Sequence, residues 1–421
     1  MKKLLLLGML LVMLCVTATS SAQVTLGVER LGEPQVQQML AHKRVGLFTN
    51  QSGVDRRLTS SVELVRAQAD LQAIFVPEHG LFGAVAAGDE VKGHEYAGIP
   101  VFSLYGDTRR PTQEMLSKID AMLVDIQDVG IRHYTYFSSL AYIMEECAKY
   151  HKEVIILDRP NPLGGVMEGP VLKPEYATYI GLYPLPLRHG LTIGEFARYI
   201  NKTQQLNCRL QVVPLKGWRR SMLWQDTGLP WTLTSPLIPT AETAVLYGVT
   251  GVLGDSNLSV GVGTAKPFFF VGAPFADAQQ VKAALDALAL PNVAFRAASF
   301  TPRYGDYTGE LVQGVEIYLL DAHKVNLAEL QYKIYLAMHK LYPGKLKAQE
   351  RGYGAEGYKT DIALGESSLR ECADETETFA RWRSECAAFA KKVHPYLLYR
   401  RGGEAVRTAC AMLETKKSLA F

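Results

Sequence analysis

Cysteine is scarce in this chain, with six residues in 421 and no C-x-x-C spacing, which argues against metal ligation by thiolates. Charge of one sign is also lacking. Lys and Arg number 45 against 42 Asp and Glu, with no basic block, which argues against nucleic acid as a partner and gives no electrostatic reason for membrane-surface binding. There is no G-x-S-x-G elbow, no G-x-x-x-x-G-K-[ST] loop and no H-E-x-x-H. Serine-elbow acyl hydrolases, nucleotide triphosphatases and zinc proteases are thereby demoted. Gly261-Val262-Gly263 lacks the third glycine and the preceding strand of a dinucleotide fingerprint.

Long apolar runs are missing too, except at the start. Lys2-Lys3, the stretch Leu4–Val16 and the small residues Ser20-Ser21-Ala22 have the order of a secretory signal. These thirteen apolar-region residues are too few to span about 30 Å of bilayer as a helix. Leu14 precedes Cys15 where a lipoprotein signal needs a small residue. The expectation is a signal peptide over residues 1–22 and a periplasmic or secreted protein with no integral membrane segment after its removal. Of the remaining cysteines, Cys372 and Cys386 are the pair that an oxidising compartment could bridge, and isolated buried thiols are the simpler expectation.

What is present is a repeated pattern. Between Arg44 and Asp158, five short apolar runs each end in polar residues: Val45–Phe48 at Asn50-Gln51, Ala73–Val76 at Pro77-Glu78-His79, Val101–Leu104 at Tyr105-Gly106-Asp107, Ala121–Val124 at Asp125-Ile126-Gln127-Asp128, and Val154–Leu157 at Asp158-Arg159-Pro160-Asn161. Runs apolar on both faces suit a buried parallel sheet, and Ser60–Ala69 and Ser138–Tyr150 carry helical spacing between them. The fold class predicted is α/β: a Rossmann-like parallel-sheet domain over residues 23–205, then an α+β domain over 206–421. In such a sheet ligands bind beyond the carboxyl ends of the strands, so the polar residues would gather at one crevice. Thr192-Ile193-Gly194-Glu195 reads as a capping box, which makes Glu195 a helix cap rather than a catalyst.

The chemistry these residues favour is that of carboxylates and amides. Glu78, at the end of Ile74-Phe75-Val76, is placed where desolvation would keep it protonated as a general acid. A glycosidase needs such an acid and a second group, either another carboxylate or the substrate's own acetamido oxygen. Asp125, Asp128 and Asp158 are candidates by position, although Asp158 could equally pair with Arg159 or another arginine. His79 would face away from Glu78 if the backbone is extended. Arg132, Tyr134 and Tyr136 follow Gln127-Asp128, and aromatic and amide side chains of this kind suit a sugar. Packing beneath a helix is the competing reading for Tyr136. Arg188-His189-Gly190 lies in a Pro-rich covering segment.

Taken together, Pro77-Glu78-His79-Gly80, Asp125-Ile126-Gln127-Asp128-Val129-Gly130, Tyr134-Thr135-Tyr136, Leu157–Gly165, Arg188–Glu195 and Pro395–Tyr399 resemble the exo-β-N-acetylmuramidase (NamZ-like) family, in order and in spacing. The resemblance implies an exported hydrolase that removes terminal N-acetylmuramic acid from the non-reducing end of peptidoglycan fragments. It implies no metal, nucleotide or other cofactor, and it places the catalytic role on Glu78. Asp125 or Asp158 would be the second or orienting carboxylate. His79, Gln127, Asp128, Arg132, Tyr134, Tyr136, Arg159, Asn161, Arg188, His189 and Asn257 would be binding groups, with Arg132, Arg159 or Arg188 meeting the lactyl carboxylate. Phe82, Val260 and Val262 stand where the family pattern has Arg, Glu and Arg. Those departures motivate the alternative of a non-catalytic muropeptide-binding protein or a paralogue with an altered substrate.

Overall fold

The computed structural model describes residues 24–86 and 88–399; the expected signal segment, Cys15 and Cys410 lie outside the described residues. Six parallel strands form the main sheet: β1 (Arg44–Thr49), β2 (Asp70–Val76), β4 (Ile99–Ser103), β5 (Ala121–Asp125), β6 (Glu153–Leu157) and β9 (Arg209–Val213). A short β3 (His94–Tyr96) pairs antiparallel with β4 at one edge. The order β3-β4-β2-β1-β5-β6-β9 steps outward from β1 in one direction and then returns to β5 on its other side. This is the doubly wound arrangement, with its switch point between β1 and β5.

The strands are apolar on both faces because both are covered. In β2, Ala73 and Phe75 pack into one core while Ile74 and Val76 pack into the other. The alternation repeats in β5 and β6: Met122, Val124, Val154 and Ile156 face the helices Tyr136–Lys149 and Ile193–Thr203, and Leu123, Ile155 and Leu157 face the N-terminal segment and the helix Pro34–Leu40. A period of two along each strand divides one apolar run between two cores. The capping box at Thr192 and Glu195 is formed in both directions.

The sequence expectation divides the chain at residue 205. The strand β9 follows it and pairs along its length with β6, so the sheet extends to Val213. The irregular Trp- and Pro-rich segment after β9 obscured the continuity. A hairpin of β7 (Glu168–Val171) and β8 (Pro186–Arg188) lies between β6 and the helix Ile193–Thr203.

The second part is α+β. Strands β10 (Phe270–Ala273), β12 (Val312–Leu319) and β11 (Val293–Phe300) form an antiparallel sheet in that order. It packs with the helices Ala241–Thr250, Ala278–Asp286, Leu327–Leu341 and Glu375–Val393 into a core continuous with one face of the main sheet. A last hairpin, β13 (Glu350–Gly352) with β14 (Ala355–Tyr358), turns at Tyr353-Gly354. Cys147, Cys208, Cys372 and Cys386 are free thiols. No described helix is long and apolar enough to cross a membrane.

Candidate active site

Beyond the carboxyl end of β2 the chain makes a tight turn with two successive left-handed residues, His79 at φ +73° and Gly80 at φ +74°. The histidine is therefore not extended, as the sequence suggested, and it tolerates this conformation because its Nδ1 lies 2.8 Å from the carbonyl oxygen of Val85. The turn leaves the Glu78 side chain half-buried in a cleft of about 570 Å³. Its Oε1 accepts from the backbone N–H of Gly88 (3.0 Å), and its Oε2 accepts from Thr135 Oγ1 (3.1 Å). Thr135 occupies the N-cap of the helix Tyr136–Lys149 but makes no side-chain cap bond, so its hydroxyl is free for Glu78.

The cleft lies between the two parts of the molecule. Glu78, Tyr105, Arg109, Thr135, Tyr136 and Tyr179 come from the main-sheet part, and Tyr247, Phe268 and Tyr353 come from the second. Six tyrosines and a phenylalanine thus face one groove, if Tyr134 is included. Tyr136 is pinned by two hydrogen bonds, accepting from Asn50 Nδ2 (2.7 Å) and donating to the carbonyl of Thr234 (2.5 Å). Burial and the Glu78 carboxylate push the Tyr105 phenol up to about 12. Burial holds His133, its ring tilted against that of Tyr247 with centroids 4.7 Å apart, down at about 3, so this cleft histidine is neutral.

Of the residues singled out in the sequence, Glu78, His79, Tyr134 and Tyr136 line this cleft. The others are absorbed elsewhere. Asp125 is fully buried in a bidentate pair with Arg159, whose Nε and second nitrogen donate at 2.6 and 2.8 Å. Asp158 accepts from Thr192 Oγ1, Gly194 N, Arg159 N and Tyr399 Oη, and burial nonetheless raises its carboxyl to about 7. Arg159 therefore pairs with Asp125 and not with Asp158. Gln127 donates to the carbonyls of Asp128 and Pro160, and Asp128 accepts from Gly130 N. Asn161 bridges Leu191 O and Leu163 N, while His189 Nδ1 accepts from Leu191 N. Asn257 holds the chain at Lys345 and Lys347.

The arginines expected to meet a substrate carboxylate are likewise committed. Arg132 is buried and donates to the backbone carbonyls of Pro170, Leu185, Ala363 and Leu364. Arg188 pairs with Glu168 at 2.9 Å and donates to Leu163 O. The one Lys or Arg on the cleft among the described residues is Arg109, which the sequence did not single out. Tyr105 was visible as a strand end. Arg109, Tyr247, Phe268 and Tyr353 carried no signal, because rules for parallel sheets say nothing of which second-domain side chains close the crevice. Among the described residues Glu78 is also the only Asp or Glu lining the cleft, and no three His, Cys, Asp or Glu side chains cluster as metal ligands would.

A doubly wound sheet with one carboxylate lining its crevice, roofed by aromatic rings from a second part, is an arrangement that suits a sugar-processing hydrolase. The comparisons agree: residues 45–242 match the N-terminal domain, and residues 245–399 the C-terminal domain, of the exo-β-N-acetylmuramidase NamZ family. The chain belongs to this family and is a glycosidase. It is 45% identical over 315 residues to the peptidoglycan β-N-acetylmuramidase NamZ of Bacillus subtilis, spanning 74% of this chain and 76% of that one. Two crystal structures of DUF1343 family proteins from Bacteroides fragilis share the fold, with TM-scores of 0.80 and 0.70 at 36% and 26% identity. Each covers 90% of this chain and 99% of its own.

Proposed function

We propose that this protein is an exported exo-acting β-N-acetylmuramidase that cleaves terminal N-acetylmuramic acid from peptidoglycan fragments, with Glu78 as general acid. The observation that carries this is the isolation of Glu78: it is the only acidic side chain on the described cleft lining, held by Gly88 and Thr135 among sugar-sized aromatic faces. Asp125 and Asp158 are sealed in their own contacts, so the second catalytic group in this reading is the substrate's acetamido oxygen. Glu78 gives its proton to the departing glycosidic oxygen as the C1–O bond breaks, and the acetamido oxygen bonds to C1 from the opposite face. Water, losing its proton to Glu78, then opens that ring and returns the acid.

The family departures do not touch this machinery. Phe82 is exposed and packs edge-on against Tyr96, Val260 is buried in the core, and Val262 packs beside it; none lines the cleft. This favours hydrolysis over binding alone. The test is release of N-acetylmuramic acid from a muramyl disaccharide by the wild type and by Glu78→Gln. The variant is expected to be slower by about 100-fold or more, and equal rates would refute the assignment. Proton NMR of the first-formed sugar should show retention of the β configuration; inversion would remove the acetamido step.

A further inference from the structure

Arg109 is the cleft's unspent charge. Its guanidinium lies over the ring of Tyr179 at 4.1 Å and that of Tyr105 at 5.2 Å. The Tyr179 ring is buried and fixed by a 2.7 Å hydrogen bond between its hydroxyl and Ser139 Oγ, so the arginine rests on a rigid shelf. Among the described residues no carboxylate lies within the 4.0 Å of an ion pair with it, Glu78 included. That separates it from Arg132, Arg159 and Arg188, which are buried and bonded within the fold, and from its neighbour Arg110, which pairs with Glu145 and Glu146. A guanidinium stacked on aromatic rings keeps its N–H edge free, and that edge matches a carboxylate in geometry and charge. Of the two histidines lining the same space, His133 is neutral and His79 has its Nδ1 against the Val85 carbonyl.

We infer that Arg109 is a specificity-determining residue: it receives a carboxylate carried by the sugar bound beside Glu78 and makes the cleft prefer an acidic amino sugar to a neutral one. This rests on the muramidase reading. The ligand feature it recognises is the acid of a lactyl ether, met by the guanidinium above the Tyr179 and Tyr105 rings.

The experiment compares kcat/KM on a chromogenic N-acetylmuraminide, on its lactyl methyl ester and on the corresponding N-acetylglucosaminide, for the wild type, Arg109→Ala and Arg109→Lys. The wild type should prefer the acid, and Arg109→Ala should lower the acid-to-ester preference by about 10- to 100-fold, with Arg109→Lys intermediate. A loss shared equally by all three substrates, or an unchanged preference, overturns the inference and leaves the muramidase reading standing. Failure of the wild type to hydrolyse any of them, together with no binding of them to Glu78→Gln by calorimetry, overturns both. Thermal unfolding of Arg109→Ala should match the wild type, since the side chain is exposed.

Discussion

Glu78 and Thr135 show how one hydroxyl at a helix start can serve a site instead of the helix. The Thr135 side chain forgoes its cap bond and donates to Glu78 Oε2, so it orients the carboxyl toward the groove. Thr135→Val keeps the shape and removes the donor. We expect kcat to fall by about 10-fold with KM little changed, because a single positioning hydrogen bond is worth about 0.5–1.5 kcal/mol. Thr135→Ser should restore most of the rate. A fall in KM-dependent binding alone, with kcat intact, would show that Thr135 contacts substrate and does not position the acid.

Among the elements, the hairpin β13–β14 brings a second-domain side chain over the cleft. Tyr353 sits at its turn with its hydroxyl donating to Asp255 Oδ1 at 2.5 Å, and burial raises the Asp255 carboxyl to about 7 against an ordinary value of 3.8. The folded protein therefore holds this proton in a range where the unfolded chain has released it. The contribution of Asp255 to stability is whole below about pH 4 and declines until pH passes about 7. Urea unfolding of the wild type and of Asp255→Asn should thus differ in slope between pH 4 and 7, with the wild type losing stability relative to the variant as pH rises. Parallel profiles would show that Asp255 is not titrating there.

Across the whole molecule, the end of the described chain returns to the first sheet. Tyr399 Oη donates to Asp158 and accepts from Leu215 N at 2.8 Å, and Leu398 N donates to Glu195 Oε1 at 2.9 Å. Glu195 also takes two bonds from Arg220. Tyr399 thereby ties the second part to the main sheet. Tyr399→Phe strands the Leu215 N–H and takes a donor from Asp158. We expect a loss of about 1–3 kcal/mol in denaturant unfolding, and an unchanged midpoint would show that water replaces the hydroxyl.

Much of this architecture was legible in the residue order. The short, continuously apolar runs from Val45 to Leu157 pointed to the parallel sheet, since a strand covered on both sides is apolar throughout, and Glu78 stood out because the chain presents it just after such a strand. The T-x-x-E pattern located the helix Ile193–Thr203 from neighbours three residues apart. These are local properties, and local spacing is written in the sequence. Tertiary structure decided which strand-end groups are free. Asp125, Asp158, Gln127 and Asn161 all reach the predicted edge, yet each finds a partner supplied from 30 or more residues away or from its own turn, and burial without such partners would be costly. Arg109 remains uncommitted for the same reason in reverse: the fold places two tyrosine rings beneath it and, among the described residues, no carboxylate within ion-pair reach. Pairing among distant side chains depends on where the backbone brings them, which no run of adjacent residues records.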